Sequence, residues 1–419
     1  MKSRLAIIAA AAGTAAAVLL GASGCSASGT DANTVTFQTN LSVDSKLMAA
    51  FTEVTAKFAA ANPDIKVDVL PSGISYESDM KVRLAANNVP DIIATHGWSL
   101  LRYSEFLEPL QNEPWAANFN PALDSAMKNA DGEFFAFPVD TDVAGIIYNG
   151  DVLAAAGIDP ANIKTWSQFG AAAAAVKATG VSPITVSGKD GGPAGNVADW
   201  MASGAYTEAQ LAELTAGTFV DGPYSDLLSM VSDWREADYF NPDYSSATAD
   251  DMARALANDQ TAFVFSQNAV ANDALQYSPD ANLGFIPVPS ATSSTPQLIG
   301  GEMNAYGISK TSKNMAGAKA YIAFLAEPEN AEVLAEAAGN LPGLTNATAA
   351  LGALQPSFDA YVASGDYPLV PYFDRVYLPN GMWNTMVTTT DSVITGQSDV
   401  AGAVRQMGSD FASLWAQTP

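Results

Sequence analysis

Apolar positions recur along this chain in two rhythms, one of period two and one of helical spacing. Polar and apolar residues alternate over 34–37, which predicts a first strand. From 44 to 60, Leu47, Met48, Phe51, Val54 and Phe58 recur on one helical face, and Asn62–Pro63 stops the helix. Residues 65–70 (IKVDVL) read as a second strand and 80–86 as a helix. Val89–Pro90–Asp91 then leads into Ile92–Ile93, a short buried strand. This strand–helix–strand order argues for an α/β unit with a largely parallel sheet.

The pattern restarts further on. Residues 134–149 (FFAFPVDTDVAGIIYN) are strand-like, followed by a short helix at 153–156 ended by Gly157. Thr165 is placed to cap a helix over 167–179. Residues 181–186 read as a strand, 188–195 as a polar Gly-rich loop and 224–237 as an amphipathic helix. Strands are expected at 261–265, 282–287 and 305–309, with a Ser/Thr-rich loop over 290–296. A helix over 316–325 ends at Glu327–Pro328, and the remainder is mostly helical with Pro/Tyr-rich loops at 367–381. No repeat of fixed period is present. The two runs of alternation predict two α/β lobes.

The start of the chain carries a different signal. Lys2 and Arg4 precede an apolar run from Leu5 to Leu20, interrupted by Gly13 and Thr14, and small residues lead to Cys25. The run is short for a membrane span, which takes roughly 20 apolar residues, and reads as an export signal. It resembles a bacterial lipoprotein signal, in which the cysteine receives the lipid; Ala22 stands where that pattern prefers Leu. Lipidation of Cys25 and ordinary cleavage without lipid both stay open. Cys25 is the only cysteine, so no disulfide can form within the chain. The Ser/Gly/Ala/Thr-rich stretch 26–33 reads as a flexible tether.

Length and charge narrow the function. A chain of 419 residues with 48% hydrophobic and 15% charged residues has the material for more than one core. Its formal net charge of −25, with 19 Lys and Arg, excludes nucleic acid and an anionic membrane surface as main partners. A single histidine, His96, leaves no material for a His/Cys metal site, and no G-x-S-x-G turn accompanies it. Ser78–Lys81 fits S-x-x-K without the companion motifs of a penicillin-binding enzyme, and the loop 188–195 lacks the G-K-[ST] of a phosphate loop. Ala144 breaks any calcium-loop reading of 140–151. No metal or other cofactor is expected. With 44 Asp and Glu, a glycosidase using two carboxylates stays open.

At this point the residues match a known family. The chain resembles, over nearly the whole part after Cys25, the carbohydrate-binding proteins of bacterial ABC importers, of the maltose-binding kind. The match rests on 58–69 (FAAANPDIKVDV) with 84–93 (LAANNVPDII), and on 132–149 with Ala156–Asp159 and Thr165–Trp166. It continues in 257–265 (ANDQTAFVF) with 284–289 (GFIPVP), and in 308–325 with Leu341–Pro342. The resemblance implies a two-lobed periplasmic-binding-protein-like fold, each lobe a mostly parallel sheet flanked by helices. The implied division is signal 1–24, tether 25–33, lobe 1 at 34–139 plus 288–326, and lobe 2 at 140–287 plus 327–419. Hinge crossings are expected at 138–141, 286–290 and 325–328. An oligosaccharide would sit between the lobes, and closure would be recognised by the importer's permease subunits. The protein would be a monomer held to the outer face of the cell membrane through Cys25.

A pyranose offers C–H faces to aromatic rings and hydroxyls to carboxylates and amides, so such a cleft wants both. By position in the family pattern, the expected carboxylates are Asp142, then Asp140, with Glu302 after Gly300–Gly301. Trp383 stands where the family places a stacking aromatic; Trp98 follows the 92–93 strand and Trp200 the Gly-rich loop. Asn40 follows the first strand. Gln267 and Asn268 replace the family's aromatic after the 261–265 strand, which implies more hydrogen bonding there. Tyr76, Tyr306, Arg375 and Tyr377 are weaker candidates, and Trp166 and Trp234 read as packing residues. The segment 374–386 (DRVYLPNGMWNTM) resembles members that bind raffinose-type or other plant oligosaccharides. A surface glycosidase and a binding protein for a non-sugar solute remain the alternatives.

Overall fold

The computed structural model describes residues 33–72 and 76–417. The export signal, Cys25 and residues 25–32 of the tether lie outside the described residues.

In β1 (Thr34–Gln38) the alternation places Val35 and Phe37 in the core and Thr36 on the opposite face. β1 lies between β2 (Lys66–Leu70) and β3 (Ile92–Ala94), parallel to both. The sheet is completed by β11 (Ala305–Ile308), antiparallel to β3, and by β4 (Phe137–Pro138). The helix Lys46–Ala61 starts at Ser45, whose hydroxyl accepts from the Met48 N–H, and lays Phe51, Val54 and Phe58 on this sheet. Phe37 meets Phe51 and Tyr306 edge-on at 5.2 and 4.8 Å, the geometry that aromatic quadrupoles favour.

The second lobe has its own sheet, in the order β7 (Ser182–Ile184), β8 (Thr261–Val264), β6 (Ile146–Asn149), β9 (Leu283–Ile286). Successive side chains alternate between two cores. Ile146, Phe263 and Ile286 join one, with Trp200 and Trp234; Ile147, Val264 and Phe285 join the other, with Leu256 and Phe358. The sheet is therefore covered on both faces, and its strands are apolar throughout. Thr165 caps the helix Trp166–Ala178 as expected, accepting from the Gln168 N–H.

Both sheets are mixed rather than mostly parallel. The antiparallel strands β6 and β11 arrive directly from a third sheet between the lobes, and that entry sets their direction. This third sheet has the order β12 (Leu341–Pro342), β5 (Asp140–Ala144), β10 (Leu298–Gly301), β13 (Leu369–Pro371).

The core of the first lobe takes in Leu334 and Leu344, while Val288 and Ile299 pack in the second. The boundaries expected at 287/288 and 326/327 therefore fall elsewhere, near 301 and 345. Two local causes account for the shift. Val288 bridges Gln297, so the chain turns back at 289–296 before crossing on β10. Pro328 opens a new helix, Pro328–Ala338, at a position where its missing N–H costs nothing, so this helix stays on the first lobe.

Candidate functional site

The floor of the cleft is the pair β5–β10. Their antiparallel register sets Asp142 opposite Gly301 and so beside Glu302, while Asp140 faces Pro342 of β12. All three carboxylates are fully buried. Asp140 Oδ1 accepts from the Met303 and Asn304 N–H groups at 3.1 and 2.8 Å. Its Oδ2 accepts from the side-chain amides of Asn304 and Asn340 at 2.8 and 3.0 Å. Asp142 differs. Tyr372 donates its hydroxyl to Oδ2, and Oδ1 has no partner. Burial pushes Asp142 up to about 7, with the Tyr372 hydrogen bond opposing and Asp140 adding to the rise. Glu302 accepts from the Ser99 hydroxyl at 3.4 Å, its Oε2 has no partner, and burial raises it as well.

Arg375 compensates this negative charge. It sits buried on the short helix Phe373–Tyr377, stacks on the Tyr372 ring at 4.1 Å and donates to the Glu302 carbonyl. The turn after β3 is shaped around it. His96 and Gly97 both take positive φ, at 48° and 79°, and a Cβ on Gly97 would lie 2.6 Å from the guanidinium carbon. Asp199 and Asp374 complete the cluster: Asp199 Oδ1 accepts from the Asp374 N–H at 2.9 Å, and burial raises both carboxyls.

From this floor the cleft opens in two directions. On one side lies a cavity of about 570 Å³ between the lobes, walled by Asn40, His96, Asn304 and Asn340 from the first and by Gln267 and Tyr277 from the second. Asn40 donates its amide to His96 Nδ1 at 3.2 Å. That assignment suits a ring kept neutral, since desolvation pushes His96 down. Asn40 Oδ1 and Asn340 Oδ1 have no partner. On the other side, Arg102 of the first lobe lies 4.3 Å over the half-buried Trp98 ring and donates to Asn380 of the second at 3.2 Å. Asn380 stands three residues before Trp383, which packs half-buried over Gly195 at a spot where a Cβ would meet the indole at 3.0 Å.

The cleft thus combines half-buried indoles with buried acids and amides that keep free acceptors. Among the described residues no cluster of His, Cys, Asp or Glu could hold a metal ion, and no helix is long and apolar enough to cross a membrane. The family model for bacterial extracellular solute-binding proteins matches residues 43–332. The chain belongs to that family. Among its solute-binding relatives, the melibiose/raffinose/stachyose-binding protein MelE of Bacillus subtilis is 30% identical over 423 residues, 96% of this chain and 95% of that protein. A Bacillus subtilis binding protein solved in an open conformation superposes with a TM-score of 0.82 at 29% identity, covering 93% of this chain and 99% of that one. A Bacillus licheniformis sugar transporter in complex with stachyose gives 0.80 at 28%, covering 91% and 100%. The two-lobed fold of these solute-binding proteins is the fold of this chain.

Against this frame, the sequence-predicted residues divide. Asn40 and Gln267 line the cavity, Asp142, Glu302 and Asn268 are fully buried on or near the strands between the lobes, and Trp98 and Trp383 are half-buried. Asn268 donates to the Val143 carbonyl at 3.1 Å and keeps Oδ1 without a partner. Two expectations need correction. Trp200 is fully buried beside Tyr372, its indole N–H on the Gly145 carbonyl at 2.8 Å, so it packs the second core and offers no face to a ligand. Asp140 uses both oxygens on four donors and ties 303–304 to 340, which makes it a hinge clamp. Sequence reasoning ranked Arg375 low and did not single out Tyr372, Asp199 or Asn340. The segment around Trp383 contains Arg375, whereas Tyr372, Asp199 and Asn340 carry no local signal.

Proposed function

We propose that the protein is the sugar-capturing component of an ABC importer and that it holds an oligosaccharide of the melibiose–raffinose–stachyose class between its lobes. The observation that carries this reading is the pairing of half-buried Trp98 and Trp383 with unpartnered acceptors on Asp142, Glu302 and Asn268. Rings can cover the C–H faces of a sugar, and the acceptors can take its hydroxyl protons. The names of the MelE relative and of the stachyose complex support the sugar class.

Capture is the proposed end of the protein's work. The sugar leaves unchanged, and closure of the two lobes over it presents a surface to the permease subunits. A hydrolase would need one cleft carboxyl as acid and a second as base or nucleophile. Asp142 is engaged by Tyr372, which supports binding over catalysis.

The same reading makes the protein a monomer tethered to the membrane through a lipid on Cys25. The Lys2/Arg4 start, the apolar run and the small residues before Cys25 support it. Replacement Cys25→Ser should move the protein from the membrane fraction to the medium; retention on the membrane contradicts the anchor.

The experiment for the central reading is calorimetric titration with the three sugars, followed by chromatography of the recovered ligand. Saturable binding with intact sugar supports capture. Cleavage products would favour a glycosidase, and silence with all three would favour a non-sugar solute.

A further inference from the structure

The cavity between the lobes also carries an aromatic wall that the sugar contacts proposed above do not use. Tyr277 closes the helix Ala269–Tyr277 and lines this cavity, yet it is 44% exposed. A single exposed ring needs no partner by itself. This one, however, is held in place. Its hydroxyl donates to Asp250, Asp250 pairs with Arg254 at 2.8 Å, and the Arg254 guanidinium lies 5.0 Å from the ring centroid. Both partners belong to the helix Ala249–Ala257. Across the opening runs the first-lobe loop that contributes Ser42, Asp44 and Lys46, with Val43 standing 68% exposed among them. A fixed ring at the mouth, hydroxyl and charged groups opposite it, and amides leading inward form a surface suited to a sugar unit.

We infer that Tyr277 forms an outer subsite that reads the length of the bound oligosaccharide. The inference rests on the oligosaccharide reading above and names which members of that class the cleft prefers. A short sugar engaged at the Trp98–Trp383 side and the floor does not reach Tyr277; a longer one extends through the amide-walled cavity and packs its outermost ring there. Tyr277 therefore discriminates by chain length and not by sugar type.

Titration of melibiose, raffinose and stachyose (two, three and four sugar units) into the wild type, Tyr277→Ala and Tyr277→Phe tests this directly. The wild type should bind stachyose more tightly than melibiose. Tyr277→Ala should raise the stachyose Kd by about three- to tenfold, the range of one aromatic contact, and the melibiose Kd by less than about twofold. Tyr277→Phe keeps the ring and should restore most of the stachyose affinity. An equal loss for all three sugars, or none for stachyose, overturns the outer subsite while leaving sugar capture intact. If the wild type binds none of them, the oligosaccharide reading falls and this inference falls with it. Unchanged melting temperatures of the ligand-free variants show that the fold is not what the substitutions alter.

Discussion

Tyr372 donates its hydroxyl to Asp142 Oδ2 where neither side chain meets water. The contact ties the segment after β13 to the hinge strand β5, and it leaves Asp142 Oδ1 as an acceptor without a donor. A carboxylate so placed is expensive to ionise, which is why burial holds Asp142 at about 7.

That shift fixes a pH dependence. An acid raised in the folded state holds its proton where the unfolded chain has released it. Its stabilising effect is complete below the ordinary carboxyl range and is lost as pH rises through about 7. Asp140, Asp199 and Glu302 are raised in the same direction by burial. The ligand-free protein should therefore melt higher at pH 5 than at pH 8, by a few degrees or more. Asp142→Asn should flatten part of that slope. A melting temperature that rises from pH 5 to pH 8 contradicts the assignment.

Asp140 makes a different prediction. Its removal strands two backbone and two side-chain donors in a buried hinge. Asp140→Ala should destabilise the protein by about 3 kcal/mol or more in urea titrations. A loss below about 1 kcal/mol would mean that the clamp contributes nothing beyond an ordinary contact.

The tryptophans separate packing from binding. Trp200→Phe removes the hydrogen bond to Gly145 and part of a buried ring, and should cost roughly 2 kcal/mol of stability while leaving sugar affinity within about twofold. Trp383→Ala should do the reverse. Its half-buried ring should cost at least about 1 kcal/mol in binding, with less effect on stability. Equal effects of the two substitutions on affinity would remove the distinction.

Gly97 tests how tightly the turn after β3 fits Arg375. Alanine there meets both a positive φ and the guanidinium, and should destabilise by about 1–3 kcal/mol. A neutral Gly97→Ala would show that the turn relaxes away from Arg375.

What the sequence carries locally, it carries well. The 44–60 periodicity and the Thr165 cap reappear as helices because a single apolar face and a single hydroxyl determine them. Asp142 falls in a segment that the pattern reads as strand-like, and Glu302 is marked by the two glycines before it and by the family resemblance. The strand β10 (LIGG) escaped: it is four residues long, half glycine, and is held as a strand by pairing with β5 on one side and β13 on the other. The shift of the lobe boundaries has the same origin, since Pro328 reads equally as the end of one helix and the start of the next. Trp200 followed a polar loop in sequence, but the helix Gly192–Ala202 turns its indole onto Gly145. Arg375 reaches Glu302 and Tyr372 reaches Asp142 across 73 and 230 residues, and no spacing rule reaches that far.

The most direct test of the account is titration of the intact protein with stachyose, raffinose and melibiose beside Asp142→Ala and Trp383→Ala. The account predicts saturable binding of at least one sugar by the wild type, recovery of that sugar uncleaved, and a loss of at least about 1 kcal/mol in each variant. Absence of binding to all three, or unchanged affinity in both variants, would contradict it.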